Sequence, residues 1–251
     1  MLAHPLFAQL RALHCQGMCD ALQEQLEQPD INQLSFDERL ALLVERECIM
    51  RENRRLTTRL RQARLKVSSC LEDMDYAAPR GLSKTVVRQL AECSWISRKQ
   101  NLLITGPTGT GKTYLACALA NQACRQGFTA RYFRLPRLFQ ILELARGDGS
   151  YARLLVSLEK TQLLILDDWG LAPMDDAQRR DLLEIMDDRH NQSSTLVTSQ
   201  LPVKLWHEAI GDLTLGDAIL DRLVHNAHRI DIKGESMRKK EASKLDSQEV
   251  K

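Results

Sequence analysis

The residues with the clearest chemistry form one short segment near the middle of the chain. It reads Gly106-Pro107-Thr108-Gly109-Thr110-Gly111-Lys112-Thr113, which fits the spacing G-x-x-x-x-G-K-[ST] of a phosphate-binding loop. Glycines let the backbone curl so that several N–H groups face one anion, and the following helix directs its positive dipole end at the same phosphates. Lys112 would reach the β- and γ-phosphates, and the Thr113 hydroxyl would bind Mg²⁺. The segment therefore predicts binding of a nucleoside triphosphate with Mg²⁺.

Two consecutive acids are the second candidate. The apolar run 162–166 ends in Asp167 and Asp168. In P-loop ATPases an apolar strand that ends in an acid supplies the Walker B carboxylate, which holds Mg²⁺ through water. Asp167 fits that position, and Asp168 would polarise the attacking water as a general base. The alternative is an ordinary strand followed by an acidic turn.

The elements around these residues have the order that the chemistry requires. The apolar run 101–105 precedes the loop, and the Ala- and Leu-rich stretch 114–125 follows it as a predicted helix. Further strands are predicted at 130–133, 163–166, 195–198 and 229–232, with helices between them. This alternation predicts an α/β domain with a parallel five-stranded sheet and helices on both faces. A glycine-rich turn without a ligand is the alternative interpretation of the loop itself.

The first 75 residues are predicted to form an all-helical N-terminal domain. Ser35 and Glu38 match a capping box, so a long helix should run from residue 36 to about 71. Between residues 51 and 66 this helix carries seven basic residues against one acid, Glu52, a local net charge of +6. The basic residues are Arg51, Arg54, Arg55, Arg59, Arg61, Arg64 and Lys66.

This basic stretch has two interpretations. It could contact nucleic-acid phosphates with little sequence preference, which makes binding salt-dependent. It could instead be a solvated helix, or one that pairs with acids elsewhere. The stretch contains no aromatic residue, which argues against base stacking. The candidate DNA contacts are Arg54, Arg55, Arg59, Arg61 and Arg64.

Composition limits the remaining possibilities. The 251 residues are 43% hydrophobic, enough for one α/β domain with an appended piece, and the net charge of +2 announces no partner. No apolar run approaches the length of a membrane span, and the N-terminus does not have the pattern of a signal peptide. Seven scattered cysteines suggest reduced thiols in a cytoplasmic protein. The predicted divisions are a helical domain at 1–75, an ATPase domain at 76–233, which opens with a linker at 76–82, and a charged, partly disordered tail at 234–251.

Three further segments carry a family resemblance. They are Asp167-Asp168-Trp169-Gly170-Leu171-Ala172-Pro173, Thr198-Ser199-Gln200-Leu201-Pro202 and Asp221-Arg222-Leu223. Together with the loop they resemble the IstB-like/DnaC-like branch of AAA+ ATPases, closest to the ATP-binding helper proteins of insertion-sequence transposition. The loop alone is generic, whereas its combination with the Thr-Ser-Gln-Leu-Pro segment is more specific. The resemblance covers nearly the whole chain.

The resemblance implies further site residues. Thr198 or Ser199, with Thr198 favoured, would orient water beside the γ-phosphate as sensor 1. Arg222 would be an arginine finger that reaches the ATP of a neighbouring subunit; pairing with a surface acid is the alternative. Arg238 would be the second sensor arginine, although the usual small lid domain has no counterpart here, and a tail arginine near DNA is the other interpretation.

The segment 134–158 holds more helix than a minimal P-loop domain needs. In the family that the chain resembles, an extra helix in this place faces the central DNA path of an oligomer. Four arginines are candidates for this contact, and ordinary surface positions are their alternative role. They are Arg134, Arg137, Arg146 and Arg153.

The resemblance implies an ATPase that uses ATP and Mg²⁺, assembles as a homo-oligomer on double-stranded DNA and regulates the transposase of the same element. Its hydrolysis is expected to be slow and stimulated by DNA or a partner. The main alternative is a replicative helicase loader, which would use the same nucleotide chemistry. A small-molecule kinase and an ATP-binding scaffold without hydrolysis are further alternatives. The basic helix and the strand end at Thr198 argue against the kinase, and Asp168 argues against the scaffold.

Overall fold

The structure is a computed structural model that describes residues 5–76 and 80–237. Its internal contacts divide the chain into two units, Met1–Thr58 and Arg59–Lys251, and each is described by itself. The predicted functional boundaries near residues 75 and 233 stay predictions.

The first unit is helical throughout its regular elements. It contains α1 (Pro5–Ala12), α2 (Gln16–Glu27), a 3₁₀ turn (Ile31–Gln33) and most of α3 (Phe36–Ala63). The predicted capping box is present: the Glu38 N–H donates to Ser35 Oγ at 3.3 Å, and the Ser35 N–H donates to Glu38 Oε2 at 2.8 Å. Helices α2 and α3 touch at Gly17, whose N–H donates to the buried Glu47 carboxylate at 2.7 Å.

The end of α3 corrects the sequence-based prediction. The helix ends at Ala63 and not near residue 71, because Arg64 has a left-handed backbone with φ = 49°. Residues 65–76 contain no helix or strand. Instead they pack on the helix after the phosphate-binding loop: Ser69 Oγ donates to the Tyr114 carbonyl at 3.2 Å, and Asn121 Nδ2 donates to the Ser69 carbonyl at 3.2 Å. Tertiary hydrogen bonds therefore override the helical pattern of this segment.

The second unit contains the predicted parallel sheet of five strands. The strands are β1 (Asn101–Thr105), β2 (Ala130–Arg134), β3 (Leu163–Trp169), β4 (Ser194–Ser199) and β5 (Ala227–Asp231). Their order is β2-β3-β4-β1-β5, and every pair is parallel. Since β1 lies next to β4 and β4 next to β3, the carboxyl ends of these three strands meet at one edge, where ligands bind in such sheets.

Helices cover this sheet. They are α4 (Lys84–Ala91), α5 (Ser94–Ser97), α6 (Lys112–Arg125), α7 (Leu135–Gly147), α8 (Tyr151–Glu159), α9 (Asp176–Arg189), α10 (Trp206–Ile210) and α11 (Leu213–Val224). A 3₁₀ turn (Val203–Leu205) precedes α10. The central strands β1, β3 and β4 are almost wholly buried, which explains the apolar runs of β1 and β3 in the sequence. The indole rings of Trp169 and Trp206 meet in the core with centroids 5.0 Å apart. Of the helices that the structure describes, none is long and apolar enough to cross a membrane.

A buried arginine binds backbone carbonyls near the amino ends of the strands. Arg189 is 2% exposed and donates to the backbone carbonyls of Leu158, Thr161 and Ser194. Burial lowers the pKa of its guanidinium to about 9. Its role is structural, because it satisfies carbonyls at the ends of helices and strands.

Candidate nucleotide site

The phosphate-binding loop has the backbone that its glycines permit. Gly106, Gly109 and Gly111 have φ values of 145°, 84° and 96°, in the region that side chains disfavour. A Cβ on Gly106 would lie 2.1 Å from the carbonyl oxygen of Ile232, a backbone atom that cannot move aside cheaply. The loop therefore requires glycine here for space as well as for conformation.

Lys112 begins α6 and turns its side chain back over the loop. It is 9% exposed, and its Nζ donates to the carbonyls of Gly106 and Pro107, both at 2.7 Å. Thr108 Oγ1 donates to Gln200 Oε1 at 2.7 Å, which joins the loop to the residues after β4. The ammonium is therefore held inside the concave side of the loop, where a phosphate group would bind.

Asp167 is the centre of the polar cluster at the ends of the strands. Its carboxylate is fully buried and accepts hydrogen bonds from the hydroxyls of Thr113, Thr198 and Tyr132. Thr113 Oγ1 lies 3.0 Å from both carboxylate oxygens. Three of the predicted residues, Thr113, Asp167 and Thr198, are thus in direct contact although 85 positions separate the first from the last.

The structure separates the two candidates for the polar residue on β4. Thr198 points its hydroxyl at Asp167, whereas Ser199 Oγ donates to the Trp169 carbonyl at 2.8 Å and accepts from the Leu201 N–H at 3.0 Å. The Ser199 hydroxyl is therefore committed to the turn after the strand. This geometry favours Thr198 for a role beside the nucleotide.

Tyr132 is a site residue that the sequence did not reveal. It lies on the edge strand β2, and its buried phenol donates to Asp167. Burial, and then the hydrogen bond to Asp167, raise the pKa of Tyr132 far above its ordinary value, so the phenol stays protonated as a donor. Strand alternation would have predicted only that this side chain faces inward.

Asp168 has a special backbone and a specific partner. Its φ is 64°, and its carboxylate accepts from Arg134 Nε at 2.6 Å. Its N–H donates to Thr198 Oγ1 at 3.4 Å. Arg134, which the sequence offered as a possible DNA contact, is therefore drawn to the nucleotide site.

A cavity of about 760 Å³ opens beside these groups, a size suited to a nucleotide. One wall is the loop with the ends of β3 and β4. The other wall comes from residues 66–75 and Arg80, which the sequence had assigned to a helix and a linker. Lys66 Nζ reaches to 3.8 Å from Asp167 Oδ2. Neither the periodicity nor the charge of this segment indicated a role at the site.

Arg80 corrects the interpretation of residues 76–82 as a plain linker. Its side chain is buried and donates to the carbonyl of Thr110 at 3.2 Å and to that of Asp75. A Cβ on Gly111 would lie 2.9 Å from Arg80 Nη1, so the arginine packs directly against the loop. Arg80 thus fastens the second wall of the cavity to the phosphate-binding loop.

Arg222 does not lie at this site. It is near the end of α11, and its carbonyl accepts from Asn101 Nδ2 at 3.2 Å, at the first residue of β1. Its guanidinium pairs with Asp187 on α9. The phosphate-binding loop follows the other end of β1, so Arg222 and the loop lie at opposite edges of the sheet.

The basic side chains predicted to contact DNA differ in their surroundings. Arg54, Arg55, Arg61 and Arg64 are exposed. Arg59 is half-buried and donates to the Cys124 carbonyl at 2.9 Å, so it anchors the last turn of α3.

The arginines of the segment 134–158 also differ, and one predicted site residue cannot be placed. Arg137 is exposed and donates to Gln140 on its own helix at 2.8 Å, and Arg153 is also exposed. Arg146 pairs with Asp181, which favours a structural role. Arg238 lies outside the described residues.

The residues present fit a nucleotide with Mg²⁺. The Thr113 hydroxyl and the Asp167 carboxylate are oxygen donors of the kind that Mg²⁺ prefers. Gly109, Gly111 and Lys112 border the same cavity, so phosphates would lie against the start of α6. When bound, ATP supplies a γ-phosphoryl group whose transfer to water is the reaction that such sites support.

The strand order, the loop after β1, the acids of β3 and the threonine of β4 define a P-loop ATPase domain of the AAA+ class. The comparisons with known proteins give the family. The family model described as "IstB-like ATP binding protein" matches residues 8–245, and the chain belongs to this family.

Named relatives cover nearly the whole chain. A "Putative insertion sequence ATP-binding protein" of Sinorhizobium fredii is 51% identical over 97% of this chain and 100% of its own length. The "Insertion sequence IS21 putative ATP-binding protein" of Pseudomonas aeruginosa is 34% identical over 96% of this chain and 91% of its own. The chain is thus similar to insertion-sequence proteins along nearly its full length.

Solved structures share the fold. The crystal structure of DnaI has a TM-score of 0.57 at 22% identity and covers 66% of this chain and 91% of that one. The crystal structure of the DnaC helicase loader has a TM-score of 0.51, also at 22% identity, and covers 59% of this chain and 87% of that one. At this identity the likeness concerns the fold alone.

Proposed function

We propose that this protein is an ATPase that assembles on double-stranded DNA in its ATP-bound state and regulates the transposase of the same insertion sequence. The observation that carries the proposal is the contact of Thr113, Thr198 and the buried Asp167 beside the phosphate-binding loop. The names of the relatives support the transposition context. We place this role in the cytoplasm, where scattered cysteines such as those of this chain stay reduced.

In this proposal the residues of the site have separate roles. Lys112 and the loop N–H groups bind the phosphates, and Thr113 and Asp167 hold Mg²⁺. Thr198 orients the attacking water, and Asp168 accepts its proton. The hydrogen bond from Arg134 occupies part of the Asp168 carboxylate, which supports slow hydrolysis until DNA or a partner changes that pairing.

Arg222 would complete the site of a neighbouring subunit. Arg222 lies at the amino ends of the strands, on the side of the sheet opposite the phosphate-binding loop. This supports the role, because a head-to-tail interface would bring this side of one subunit to the loop of the next. Asp187 would hold the guanidinium until the subunits meet. Arg238 would bind phosphate as a second sensor or contact DNA.

The exposed basic residues of α3 would contact the DNA backbone. Arg54, Arg55 and Arg61 on α3 and Arg64 directly after it are exposed, and such arginines suit contacts to phosphates rather than to base edges. Arg59 would contribute indirectly, because its hydrogen bond to Cys124 fixes the end of the helix. Arg137 is a further exposed candidate on α7.

Helicase loading is the alternative function, favoured by the fold shared with the DnaC helicase loader. The two functions differ in their DNA. A transposition regulator should prefer duplex DNA in the presence of ATP, whereas a helicase loader should prefer single strands. Binding to fluorescent duplex and single-stranded DNA of equal length separates them.

The central test compares Lys112→Ala with Lys204→Ala, which removes an exposed lysine from the same unit. We expect wild type and Lys204→Ala to bind duplex DNA only with Mg²⁺ and ATP, as measured by fluorescence anisotropy. Lys112→Ala should lose both nucleotide binding and DNA assembly. Ordinary nucleotide affinity in Lys112→Ala would show that the loop does not bind phosphate. Electron microscopy of the wild-type complex then reveals whether it forms a ring or spiral on DNA.

A further inference from the structure

The buried Asp167 carboxylate has a cation beside it that no role in the proposed site explains. Lys66 Nζ lies 3.8 Å from Asp167 Oδ2. The carboxylate is fully buried, whereas the lysine side chain is 40% exposed, so Lys66 reaches in from the rim of the cavity. Both groups belong to the second unit.

A carboxylate in this position needs compensation. Taking a charged group out of water costs several kcal/mol unless hydrogen bonds and an opposite charge replace the lost hydration. Thr113, Thr198 and Tyr132 supply three hydrogen bonds from neutral hydroxyls. Lys66 adds a positive charge on a long flexible stem, which can approach or leave the carboxylate without moving the sheet.

Lys66 follows closely after the end of α3 and its exposed arginines. Helix α3 ends at Ala63, which is fully buried, and the left-handed Arg64 turns the chain towards the cavity. Lys66 follows two residues later. The exposed Arg61 and Arg64 therefore lie within five residues of a side chain that contacts the centre of the nucleotide site.

We propose that Lys66 is the resident counter-ion of Asp167 in the nucleotide-free protein and that the Mg²⁺ bound with the nucleotide displaces it. This inference rests on the proposed role of Asp167 on the metal side of the site. Two cations cannot share the same face of one carboxylate without strong repulsion. Metal binding therefore releases the Lys66 side chain from Asp167.

If Lys66 stabilises only the nucleotide-free state, removing it must lower the stability of that state and strengthen Mg²⁺-nucleotide binding by the same factor. Since the pair is partly exposed, its contribution corresponds to a change of up to about fivefold in the equilibrium. Lys66→Met tests this without changing the length of the side chain greatly, Lys66→Arg keeps the charge, and Lys204→Met removes an exposed charge outside the cavity.

The experiment measures binding of a fluorescent ATP analogue while Mg²⁺ is titrated, together with the thermal unfolding midpoint of each full-length variant with and without Mg²⁺ and ATP. We expect Lys66→Met to need about three- to fivefold less Mg²⁺ for half-saturation. It should also unfold at a lower temperature than wild type without ligand and at the same temperature with it. Lys66→Arg and Lys204→Met should behave as wild type.

Two results would overturn the inference. An unchanged Mg²⁺ requirement in Lys66→Met would make Lys66 an ordinary rim residue. A higher requirement, or weaker nucleotide binding, would mean that Lys66 contacts the bound ligand instead of yielding to it. If wild type itself shows no Mg²⁺-dependent nucleotide binding, the proposed function fails together with this inference. If wild type binds the nucleotide normally and the Mg²⁺ requirement of Lys66→Met is unchanged, only the inference about Lys66 fails.

Discussion

Mixing two inactive variants tests whether the active site is shared between subunits. The variants are Asp168→Asn, which removes the proposed base, and Arg222→Ala, which removes the proposed finger. In this structure Arg222 contacts Asn101 at the start of β1, and the loop begins at Gly106 after its end. The five residue steps from Asn101 to Gly106, at about 3.3 Å each, separate the two by roughly 16 Å. Since the Arg222 side chain is also paired with Asp187, it cannot serve the site of its own subunit.

The expected sizes of the effects follow from this arrangement. Arg222→Ala alone should leave nucleotide affinity unchanged and reduce turnover on DNA by a factor on the order of 10³ to 10⁵. Asp168→Asn alone should bind ATP, remain assembled on DNA and turn over very slowly. In a mixture at equal concentrations, an interface is intact when Asp168 comes from one variant and Arg222 from the other. Random head-to-tail assembly gives that combination at about one interface in four.

The assay is steady-state phosphate release with saturating ATP and duplex DNA, for each variant alone and for the mixture. We expect the mixture to recover about a quarter of the wild-type rate, on the random assembly described above. A mixture no faster than the mean of its components would refute the shared site. Asp187→Ala is the matched control, because it breaks the same ion pair and keeps the finger. It should retain turnover, and both Asp187→Ala and Arg222→Ala should change the free energy of unfolding by less than about 1 kcal/mol, since the pair is partly exposed.

Two further predictions concern the other charged residues. Reversing the exposed Arg54, Arg55 and Arg61 to glutamate should weaken duplex binding and make it less dependent on salt. The slope of log affinity against log salt concentration should become shallower by about 0.9 for each DNA phosphate that the protein no longer neutralises. An unchanged slope in anisotropy titrations would mean that these residues are only solvated. Arg80→Met and Arg189→Met should each lower the free energy of unfolding by about 2 kcal/mol or more, since each leaves buried carbonyls without donors. Only Arg80→Met should also weaken nucleotide binding, as measured by calorimetry. Arg189 lies at the amino ends of the strands, away from the phosphate-binding loop. Equal affinities in the two variants would contradict the role of Arg80.

The parallel sheet could be predicted because its strands are buried on both faces. A short, continuous apolar run such as 163–166, bounded by residues that favour turns, indicates a buried strand. The structure extends this strand to Leu163–Trp169. The phosphate-binding loop could be predicted because the local backbone conformation of the loop requires its glycines. The contact of Thr113 with Asp167 agrees with the topology, since the carboxyl ends of the parallel strands β1 and β3, with β4 between them, lie on the same side of the sheet.

The second wall of the cavity could not be predicted, because long-range hydrogen bonds determine it. The sequence from 64 to 71 contains no Gly or Pro, so the pattern continued α3 past its actual end at Ala63. The left-handed Arg64 ends the helix, and the segment after it is held by hydrogen bonds of Ser69 with Tyr114 and Asn121, which lie some 45 to 52 residues away. Tyr132 was missed for the same reason: its partner Asp167 is 35 residues distant.

The cations around the cavity explain why one subunit is a poor catalyst in this scheme. Arg134 is bonded to Asp168, and Arg80 is bonded to the carbonyls of Thr110 and Asp75. Arg134 Nε and both Nη atoms of Arg80 are already engaged in these bonds within one subunit. Lys112 lies at the loop of the same subunit, so it cannot make hydrolysis depend on a neighbour. An additional cation that arrives only on assembly would act on the transition state selectively. A finger at the amino ends of the strands would have this effect under the proposed function: hydrolysis would depend on the interface, and an isolated subunit would keep its ATP until it met a neighbour on DNA.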